Sequence, residues 1–259
     1  MFSLSIQRVV KILLLIGATI AFVAPVQAEK IVIYGDESYA PVIFTDKESG
    51  NPAGILPALF LRLGQMTGDT YELVLVPWQR ALYESSAGKG GITNVSWNKE
   101  RDALYDFSAP MYDDDIRLVV LKGKEFPFKT LADLNGKIVG GASGASYGQD
   151  VDKAIGDGLI KMERDPNQLS RMKKLLLGRI HVAIIGNDQA GFQRLVASDK
   201  ELTAHKDKFV VLPQPLVRDP LHLAFAKSMN MKPALARFNK ALATLKKSPD
   251  YKQITGGTH

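Results

Sequence analysis

An α/β fold of two similar halves is predicted by three observations on the sequence. Short apolar segments of strand type alternate with amphipathic segments of helical period along most of the chain. The pattern starts again after Lys122-Gly123-Lys124, and a stiff second connector, Pro213-Gln214-Pro215, follows the later strands. Such alternation predicts mainly parallel sheets flanked by helices, with connectors near 117–124 and 213–220.

The first half is predicted to alternate strands and helices up to the first connector. Gly68 lies just past the end of the first helix, which has a proline in its first turn. Asn98 is expected to cap the third helix. The predicted strands are Ile31–Tyr34, Glu72–Val76, Ile92–Ser96 and Arg117–Leu121, and the predicted helices are Pro57–Met66, Pro77–Ala87 and one starting near Lys99.

The rest of the chain, which is a second half and then a tail after the second connector, has similar boundary signals. The tail contains the strand at 221–226 and the helix from Pro233. Thr130 and Asp133 resemble a short capping box. Asp165-Pro166 opens a helix with Leu169, Met172 and Leu176 on one face, and a last helix from Pro233 carries Leu235, Phe238, Leu242 and Leu245 on one face. The other predicted elements are a helix at Asp188–Ala197 and strands at Lys137–Gly141, His181–Ile185, Phe209–Leu212 and Leu221–Ala226.

The N-terminus has the features of a secretory signal. Arg8 and Lys11 precede an apolar run, Ile12–Val23, and Val26-Gln27-Ala28 offers a small-residue cleavage site, so the mature chain is expected to start at Glu29. The run is too short to span a bilayer comfortably. The absence of cysteine excludes disulfides, zinc-thiolate sites and a lipid-modified cysteine. We therefore expect a soluble periplasmic protein that is not lipid-anchored.

Charge and histidine content exclude several partners. Removal of Arg8 and Lys11 with the signal lowers the formal net charge from +6 to +4, which is mildly basic. Basic residues are scattered among acids, so nucleic acid is not expected as a partner. The four histidines have no metal-ligand spacing. We expect neither a metal site nor a cofactor.

The segment 88–112 is the most informative part of the chain. Its strand at 92–96 has a polar end, and Arg101 follows in the first turn of a helix, where a cation costs a few tenths of a kcal/mol. A guanidinium binds a carboxylate through two parallel hydrogen bonds. These residues alone leave two interpretations, a pocket for an anion or a solvated arginine paired with Glu100 or Asp102.

Five groups of residues then occur in an order shared with a known family. Each group is weak by itself, and five in the correct order are strong. They are Ser38–Pro41 followed by Gly50 and Gly54; Asn94–Ser96 with Glu100-Arg101 and Phe107–Tyr112; Leu131–Lys137 with Gly140–Gly144; Leu177–Ile180; and Leu245–Ile254. Over 29–255 the chain resembles the periplasmic solute-binding proteins of ABC uptake systems, family 3, the amino-acid-binding type.

The resemblance implies a two-domain periplasmic-binding-protein fold of type II. Residues 1–28 would be the signal peptide, 29–118 with 219–259 the first lobe, and 119–218 the second lobe. Two hinge connectors would join these α/β lobes around a ligand cleft, and the lobes would close by bending at the connectors.

The same resemblance assigns ligand contacts in the first lobe. Arg101 would bind the ligand's α-carboxylate, and Ser96 and the Asn94 region would add hydrogen bonds. Asp36 lies where the family often places a polar contact. For Arg101 the resemblance raises the anion-binding interpretation well above the surface-pairing one.

Aromatic residues and a glycine-rich turn complete the predicted site. Tyr39 would lie against the ligand's body and Trp78 is near a commonly aromatic position, although half-buried packing explains both residues equally well. The turn at 140–148 lies between a strand and a helix, where free backbone N–H groups attract an anion. In the family this turn holds the same carboxylate, here with Ala145 and the hydroxyl of Ser146.

One departure from the family concerns the ligand's ammonium group. The aspartate that usually accepts it is replaced by Gly186, after the strand at 181–185. A slip of one or two residues would bring Asn187 or Asp188 into play, and of these two only Asp188 could neutralise an ammonium. His181 replaces another family aspartate, and a lone histidine in a strand is more often packed than functional.

The function implied is capture of a small carboxylate-bearing ligand, with an amino acid first among candidates, for an inner-membrane ABC permease. No catalytic residue is assigned, and we expect a monomer. A periplasmic enzyme on the same fold, resembling cyclohexadienyl dehydratase, stays open, with Asp36, Asp188 or His181 as general acid. A ligand-binding protein serving a sensor also stays open. A receptor's own sensor domain normally precedes a membrane helix, and the chain stops at His259, which disfavours that version.

A hydrolase is the remaining alternative. Gly144–Gly148 matches the nucleophile-elbow pattern G-x-S-x-G, with Asp188 and then His205 or His222 downstream in the hydrolase order. The pattern is short and the lipase-type HGGG motif is missing. Hydrolysis also does not explain Arg101, so we do not favour it.

Overall fold

The structure is a computed structural model, and it describes residues 29–256. The predicted signal peptide, 1–28, lies outside this range. No helix within the range is both long and apolar enough to cross a membrane. The strands are β1 (Lys30–Asp36), β2 (Ser38–Tyr39), β3 (Ile43–Thr45), β4 (Pro52–Ala53), β5 (Thr70–Val76), β6 (Gly91–Ser96), β7 (Tyr105–Phe107), β8 (Tyr112–Leu121), β9 (Ile138–Ala142), β10 (Lys161–Asp165), β11 (Val182–Ile185), β12 (Phe209–Val211) and β13 (Val217–Ala226).

The helices separate most of these strands. They are α1 (Ile55–Thr67), α2 (Trp78–Ser86), α3 (Lys99–Leu104), α4 (Gln149–Gly156), α5 (Gln168–Leu176), α6 (Asp188–Ala197), α7 (Lys200–Ala204), α8 (Lys232–Leu245) and α9 (Pro249–Thr255). The predicted helix boundaries agree with α1, α2, α3, α6 and α8 to within a few residues.

A mixed sheet runs through the molecule in the order β10-β9-β11-β8-β13-β6-β1-β5. The pairs within each half, β5 with β1, β1 with β6, β10 with β9 and β9 with β11, are parallel, as the sequence predicts. The two central strands, β8 and β13, pair antiparallel with each other and with their other neighbours. The sequence predicted mainly parallel sheets, and the structure has parallel pairs in each half and antiparallel pairs at the centre of the sheet.

We call β8 and β13 the crossing strands, because each pairs in both halves of the sheet. Tyr112 to Ile116 of β8 pair with Leu221 to Val217 of β13. Further along, β8 pairs with β11 and β12, while β13 pairs with β6 and β7. The chain therefore passes between the halves inside two paired strands. The sequence predicted only their later parts, because Asp113-Asp114-Asp115 interrupts the apolar pattern of β8 and Arg218-Asp219-Pro220 interrupts that of β13.

Each half buries its own apolar side chains on both faces of the sheet. In the first half α1, α8 and α9 contribute to one core cluster, and the predicted stripe on α8 is buried at Leu235, Phe238, Leu242 and Leu245. In the second half, the predicted face of α5 packs in another cluster through Leu169, Met172 and Leu176. Burial of each such side chain contributes about 1.5–3 kcal/mol. The clusters of the two halves consist of different residues, so each half has its own core.

The predicted helix ends are also confirmed. Gly68 ends α1 with φ 79°, a left-handed conformation that favours glycine. Asn98 caps α3 by accepting a hydrogen bond from the Arg101 amide at 2.8 Å, and Thr130 with Asp133 forms the capping box. The sequence missed β10, because its residues Lys161–Asp165 are mostly charged.

Candidate functional site

A cleft of about 60 Å³ lies where the two halves of the sheet meet. Its wall contains residues from the ends of β1, β6 and β9, from the first turns of α2, α3 and α5, and from the crossing strand β13. This volume has room for several waters or a small ligand. Strand ends of both halves contribute, as expected for a binding site in open α/β sheets.

Most residues proposed from the sequence line this cleft. The eight are Asp36, Tyr39, Trp78, Asn94, Ser96, Arg101, Ala145 and Ser146. Asp188, the ninth, lies outside the cleft lining, and its carboxylate accepts a hydrogen bond from Arg117 Nε at 2.6 Å. The expectation that Asp188 faces a ligand's ammonium is therefore corrected, because Arg117 already neutralises it.

Arg101 joins the two halves across the cleft. Its Nη1 donates to the carbonyl oxygen of Ser96 and its Nη2 to that of Gly144, both at 2.9 Å. Burial lowers the pKa of its guanidinium, and the nearby Asp152 opposes that shift. Within residues 29–256 Arg101 has no carboxylate oxygen within 4.0 Å. Surface pairing with Glu100 or Asp102 is therefore not what this arginine does.

Two buried polar atoms of the cleft residues lack a hydrogen-bond partner. Trp78 Nε1 is a donor and Asn94 Oδ1 is an acceptor, and both residues line the cleft. Trp78 also packs in the apolar cluster of the first half, so its packing role and its place in the cleft coexist. Asn94 has φ 61°, a left-handed conformation found often at binding sites. Buried polar atoms without partners suggest a ligand that supplies them.

The glycine-rich turn differs from the sequence-based expectation. Ser146 Oγ donates to Asp152 of α4, and the Tyr147 amide donates to the same carboxylate at 3.0 Å. The chain's own Asp152 therefore occupies the donors that the sequence assigned to a ligand carboxylate. Ala145 and Ser146 still line the cleft, and the Ser146 carbonyl oxygen lies 3.3 Å from Ser96 Oγ.

Two buried acids that the sequence analysis missed face each other on the crossing strands. Asp114 of β8 is directly opposite Asp219 of β13. Asp219 lines the cleft and accepts a hydrogen bond from Ser96 Oγ at 2.6 Å. Burial raises the pKa of Asp219 to about 7 and that of Asp114 to about 6. The sequence did contain a signal for the burial of Asp114. In a strand, Asp114 lies on the same face as Tyr112 and Ile116, so an acid is placed between two residues that are typical of a buried face.

Replacing Asp219 by asparagine should increase stability at high pH. The folded-state pKa of about 7 lies above the ordinary 3.8, so the folded state binds this proton more tightly than the unfolded chain. The resulting stability is complete below about pH 4 and is lost as the pH rises through 7. Asp219→Asn, which stays neutral, should be on the order of 2–4 kcal/mol more stable than wild type at pH 8.

Urea unfolding of both proteins between pH 4.5 and pH 8 measures this difference. The gain should shrink steadily as the pH falls. Asp157→Asn is the control, because Asp157 is exposed and paired with Lys153. A stability difference that does not change with pH would contradict the assignment of an unfavourable buried charge to Asp219.

The structure explains the glycine at position 186. A Cβ atom there would lie 1.6 Å from Tyr39 Oη and 2.7 Å from Asp114 Oδ2. Tyr39 Oη donates to Asp114 Oδ2 at 2.5 Å, so the hydroxyl is held in that space. Burial raises the pKa of Tyr39 well above 10, which keeps the hydroxyl protonated as a donor. A tyrosine from the first half thus fills the volume that a side chain at 186 would need.

Of the candidate general acids and the histidines, Asp36 lies at the cleft, whereas His181 and His222 lie outside the cleft lining. Asp36 lines the cleft, and burial raises its pKa, although bonds from Ser38 oppose this. His181 is exposed, and it accepts a hydrogen bond from the Ile138 amide at 2.9 Å, so it is hydrogen-bonded as expected but it is not packed in a core. His222 Nδ1 lies 2.8 Å from the carbonyl oxygen of Ser108, and burial lowers its pKa.

No hydrolase triad forms around Ser146 in the part of the chain that the structure describes. Its hydroxyl is bonded to Asp152, and the hydrogen bonds of His205 and His222 go to backbone carbonyls. The G-x-S-x-G match is therefore not supported by its structural context.

Two sheet halves around a shared cleft define the type II periplasmic-binding-protein fold, as the sequence predicted. The chain belongs to the bacterial extracellular solute-binding proteins, family 3, whose family model matches residues 31–256.

Solved structures with the same fold are distant in sequence. One is a histidine kinase sensor domain with similarity to periplasmic binding proteins, with TM-score 0.73, 22% identity, and coverage of 88% of this chain and 95% of that chain. Another is an ancestral arginine-binding protein bound to arginine, with TM-score 0.71, 23% identity, and coverage of 88% and 97%. A third is the ancestral amino acid-binding protein AncCDT-1, a precursor of cyclohexadienyl dehydratase, with TM-score 0.67, 21% identity, and coverage of 88% and 94%.

Proposed function

We propose that the protein is a periplasmic binding protein that captures a small carboxylate-bearing ligand and delivers it to an inner-membrane ABC permease. The secretory features of 1–28 support export, and membership of an extracellular solute-binding family supports ligand capture. An amino acid is the first candidate, because similar folds include amino-acid-binding proteins.

The unpaired guanidinium of Arg101 carries this proposal. Another cleft arginine, Arg171, is neutralised by two hydrogen bonds to Asp165 at 2.9 and 3.0 Å. Arg101 has only the carbonyl oxygens of Ser96 and Gly144, which use two of its five N–H groups. Asp152 and Asp219 are near this guanidinium but form no direct ion pair with it. A partly buried cation without a direct ion pair is costly, and a ligand carboxylate would reduce that cost.

Closure of two lobes accounts for the contacts across the cleft. Besides the bond from Arg101 to Gly144, Asn98 Nδ2 donates to Asp152 at 3.3 Å and the Lys99 amide to Gln149 Oε1 at 3.2 Å. We propose that 29–118 with 219–259 moves as one body and 119–218 as the other. Bending within the crossing strands would open these few polar contacts without disturbing either core.

The proposal is tested by comparing acids with their neutral derivatives. The purified protein, freed of bound ligand by unfolding and refolding, is melted with a panel of amino acids and other small carboxylic acids, each beside its methyl ester. An acid at about 100 times its dissociation constant should add about 2.7 kcal/mol to the free energy of unfolding, and its ester should add much less. Equal shifts from acid and ester, or no shift from any acid, would refute carboxylate capture.

A second function is favoured by one observation, the cleft position of Asp219. A buried carboxyl group with pKa of about 7 is suited to general acid catalysis at neutral pH. The protein would then be an enzyme that eliminates water from a bound carboxylic acid, as the family's dehydratases do. Consumption of a stabilising acid during incubation, detected by mass spectrometry and lost in Asp219→Asn, would establish this function.

A further inference from the structure

Three side chains at the crossing strands place their oxygen atoms together beside the cleft. Tyr39 Oη donates to Asp114 Oδ2, and Asp114 is opposite Asp219 in the β8–β13 ladder. We call Tyr39, Asp114 and Asp219 the crossing-strand acid cluster. Tyr39 and Asp219 line the cleft, whereas Asp114 lies behind them with no exposed surface.

An independent observation indicates that a ligand belongs in this cleft. Trp78 is 7% exposed and its Nε1 has no hydrogen-bond partner, although the residue lines the cleft. Asn94 Oδ1 in the same lining is an acceptor without a donor. Two cleft-lining residues thus hold a buried donor and a buried acceptor without partners, which is unusual in a folded protein and is common at ligand sites.

We propose that Asp219, assisted by the hydroxyl of Tyr39, binds a cationic group of the ligand in place of the carboxylate that Gly186 cannot supply. This inference rests on the proposed capture of a carboxylate by Arg101. Ser96 connects the two charged groups, since its carbonyl accepts from Arg101 and its Oγ donates to Asp219. The anion and cation subsites are therefore neighbours, as a carboxylate and an ammonium on one carbon atom require.

Asp36 is the other acid of the cleft, and it suits this role less well. The Ser38 amide and hydroxyl already donate to its Oδ1, at 2.8 and 2.9 Å. The cation subsite is assigned to Asp219 because Ser96 joins it directly to Arg101. Asp36→Asn is therefore the competing variant to compare with Asp219→Asn, and Asp157→Asn, which removes an exposed acid paired with Lys153, is the matched control.

Ionisation of Asp219 gives the inference a second readout. The charged groups around this carboxyl are Asp114 on β8, Arg101 on α3 and Asp152 on α4. With a pKa of about 7, Asp219 is partly protonated in the empty cleft at neutral pH. A cationic ligand favours the ionised form, so its binding should release a proton. Affinity should then rise up to about tenfold between pH 6 and pH 8.

Calorimetric titration of matched ligand pairs tests the inference. Each L-amino acid is compared with the carboxylic acid of the same carbon skeleton that has hydrogen in place of the amino group. Wild type should prefer its best amino acid at least about 100-fold at pH 8, and Asp219→Asn should reduce that preference to below about tenfold. The variant should bind the deaminated acid at least as tightly as wild type, because its neutral amide does not repel the carboxylate, and it should lose the pH dependence. Tyr39→Phe should reduce the preference less, because Asp219 remains.

The outcomes separate this inference from the proposed function. If a deaminated acid binds as tightly as its amino acid, or if Asp36→Asn rather than Asp219→Asn removes the preference, the assignment of Asp219 is wrong while carboxylate capture stands. If no carboxylic acid binds, both are wrong. Circular dichroism at pH 8 controls for folding, and Asp219→Asn is expected to be the more stable protein there.

Discussion

Replacing Arg101 by alanine should lower the affinity for the carboxylate ligand by about 2–5 kcal/mol, which is roughly 30-fold to several thousand-fold. The guanidinium is the one unpaired cation that we find among the described cleft residues, and alanine would leave the ligand carboxylate buried without a counter-ion. Arg101→Lys should recover only part of the loss, because an ammonium cannot form two parallel hydrogen bonds.

The measurement is a calorimetric titration with the acid that gives the largest thermal shift. Arg80→Ala is the matched control, since Arg80 lies on the exposed face of α2 and pairs with Glu84. Its affinity should equal that of wild type. Retention of wild-type affinity by Arg101→Ala would mean that another group, such as Arg171, binds the carboxylate.

Gly186→Ala should keep the cleft from closing. The new Cβ would lie 1.6 Å from Tyr39 Oη, and Tyr39 cannot simply move aside because its hydroxyl is bonded to Asp114. Gly186 follows β11 in the second half and Tyr39 forms β2 in the first half, so separating the halves relieves the clash. If the closed state becomes less favourable by about 3 kcal/mol, ligand affinity should fall about 100-fold.

Small-angle scattering with and without ligand distinguishes blocked closure from misfolding. Wild type should become more compact on binding, whereas Gly186→Ala should keep a larger radius of gyration and an ordinary unfolding transition. Gly156→Ala serves as the control, because an added Cβ there meets nothing within 4 Å. A compact, ligand-saturated Gly186→Ala protein would show that Tyr39 gives way and that position 186 does not control closure.

The local pattern of the chain determined its elements and their order. Strand alternation, the stripe on α8 and caps such as Gly68 and Asn98 depend on residues near one another, so they can be recognised without coordinates. The resemblance to a known family added eight residues that do line the cleft, with Arg101 among them. Their roles as ligand contacts stay predictions.

Tertiary structure alone decided how the charges of the cleft are paired. Arg117 pairs with Asp188, Asp152 accepts hydrogen bonds from the glycine-rich turn, and Arg101 is left without a direct ion pair. Arg117 and Asp188 are 71 positions apart in the sequence, and Arg101 reaches across the cleft to Gly144. The contacts of Asp152 are local, because Tyr147 and Ser146 precede it by five and six residues, and they depend on how the turn folds back onto α4. Which acid pairs with a given arginine depends on differences of a few ångströms between side chains. Residue spacing in the sequence does not encode such distances.

Residue spacing also does not encode which distant strands pair, and for this reason the sequence did not show that Asp114 and Asp219 are buried on the crossing strands. In the sequence, Asp114 belongs to an acidic run and Asp219 precedes a proline, both typical of exposed connectors. Strand pairing placed them opposite each other, and burial raised the pKa of each carboxyl. Local residue patterns were enough to predict most of the longer strands and helices, and the order of the motifs was enough to predict the family. The pairing of β8 with β13 decided which acids lie at the cleft, because only the fold removes them from water.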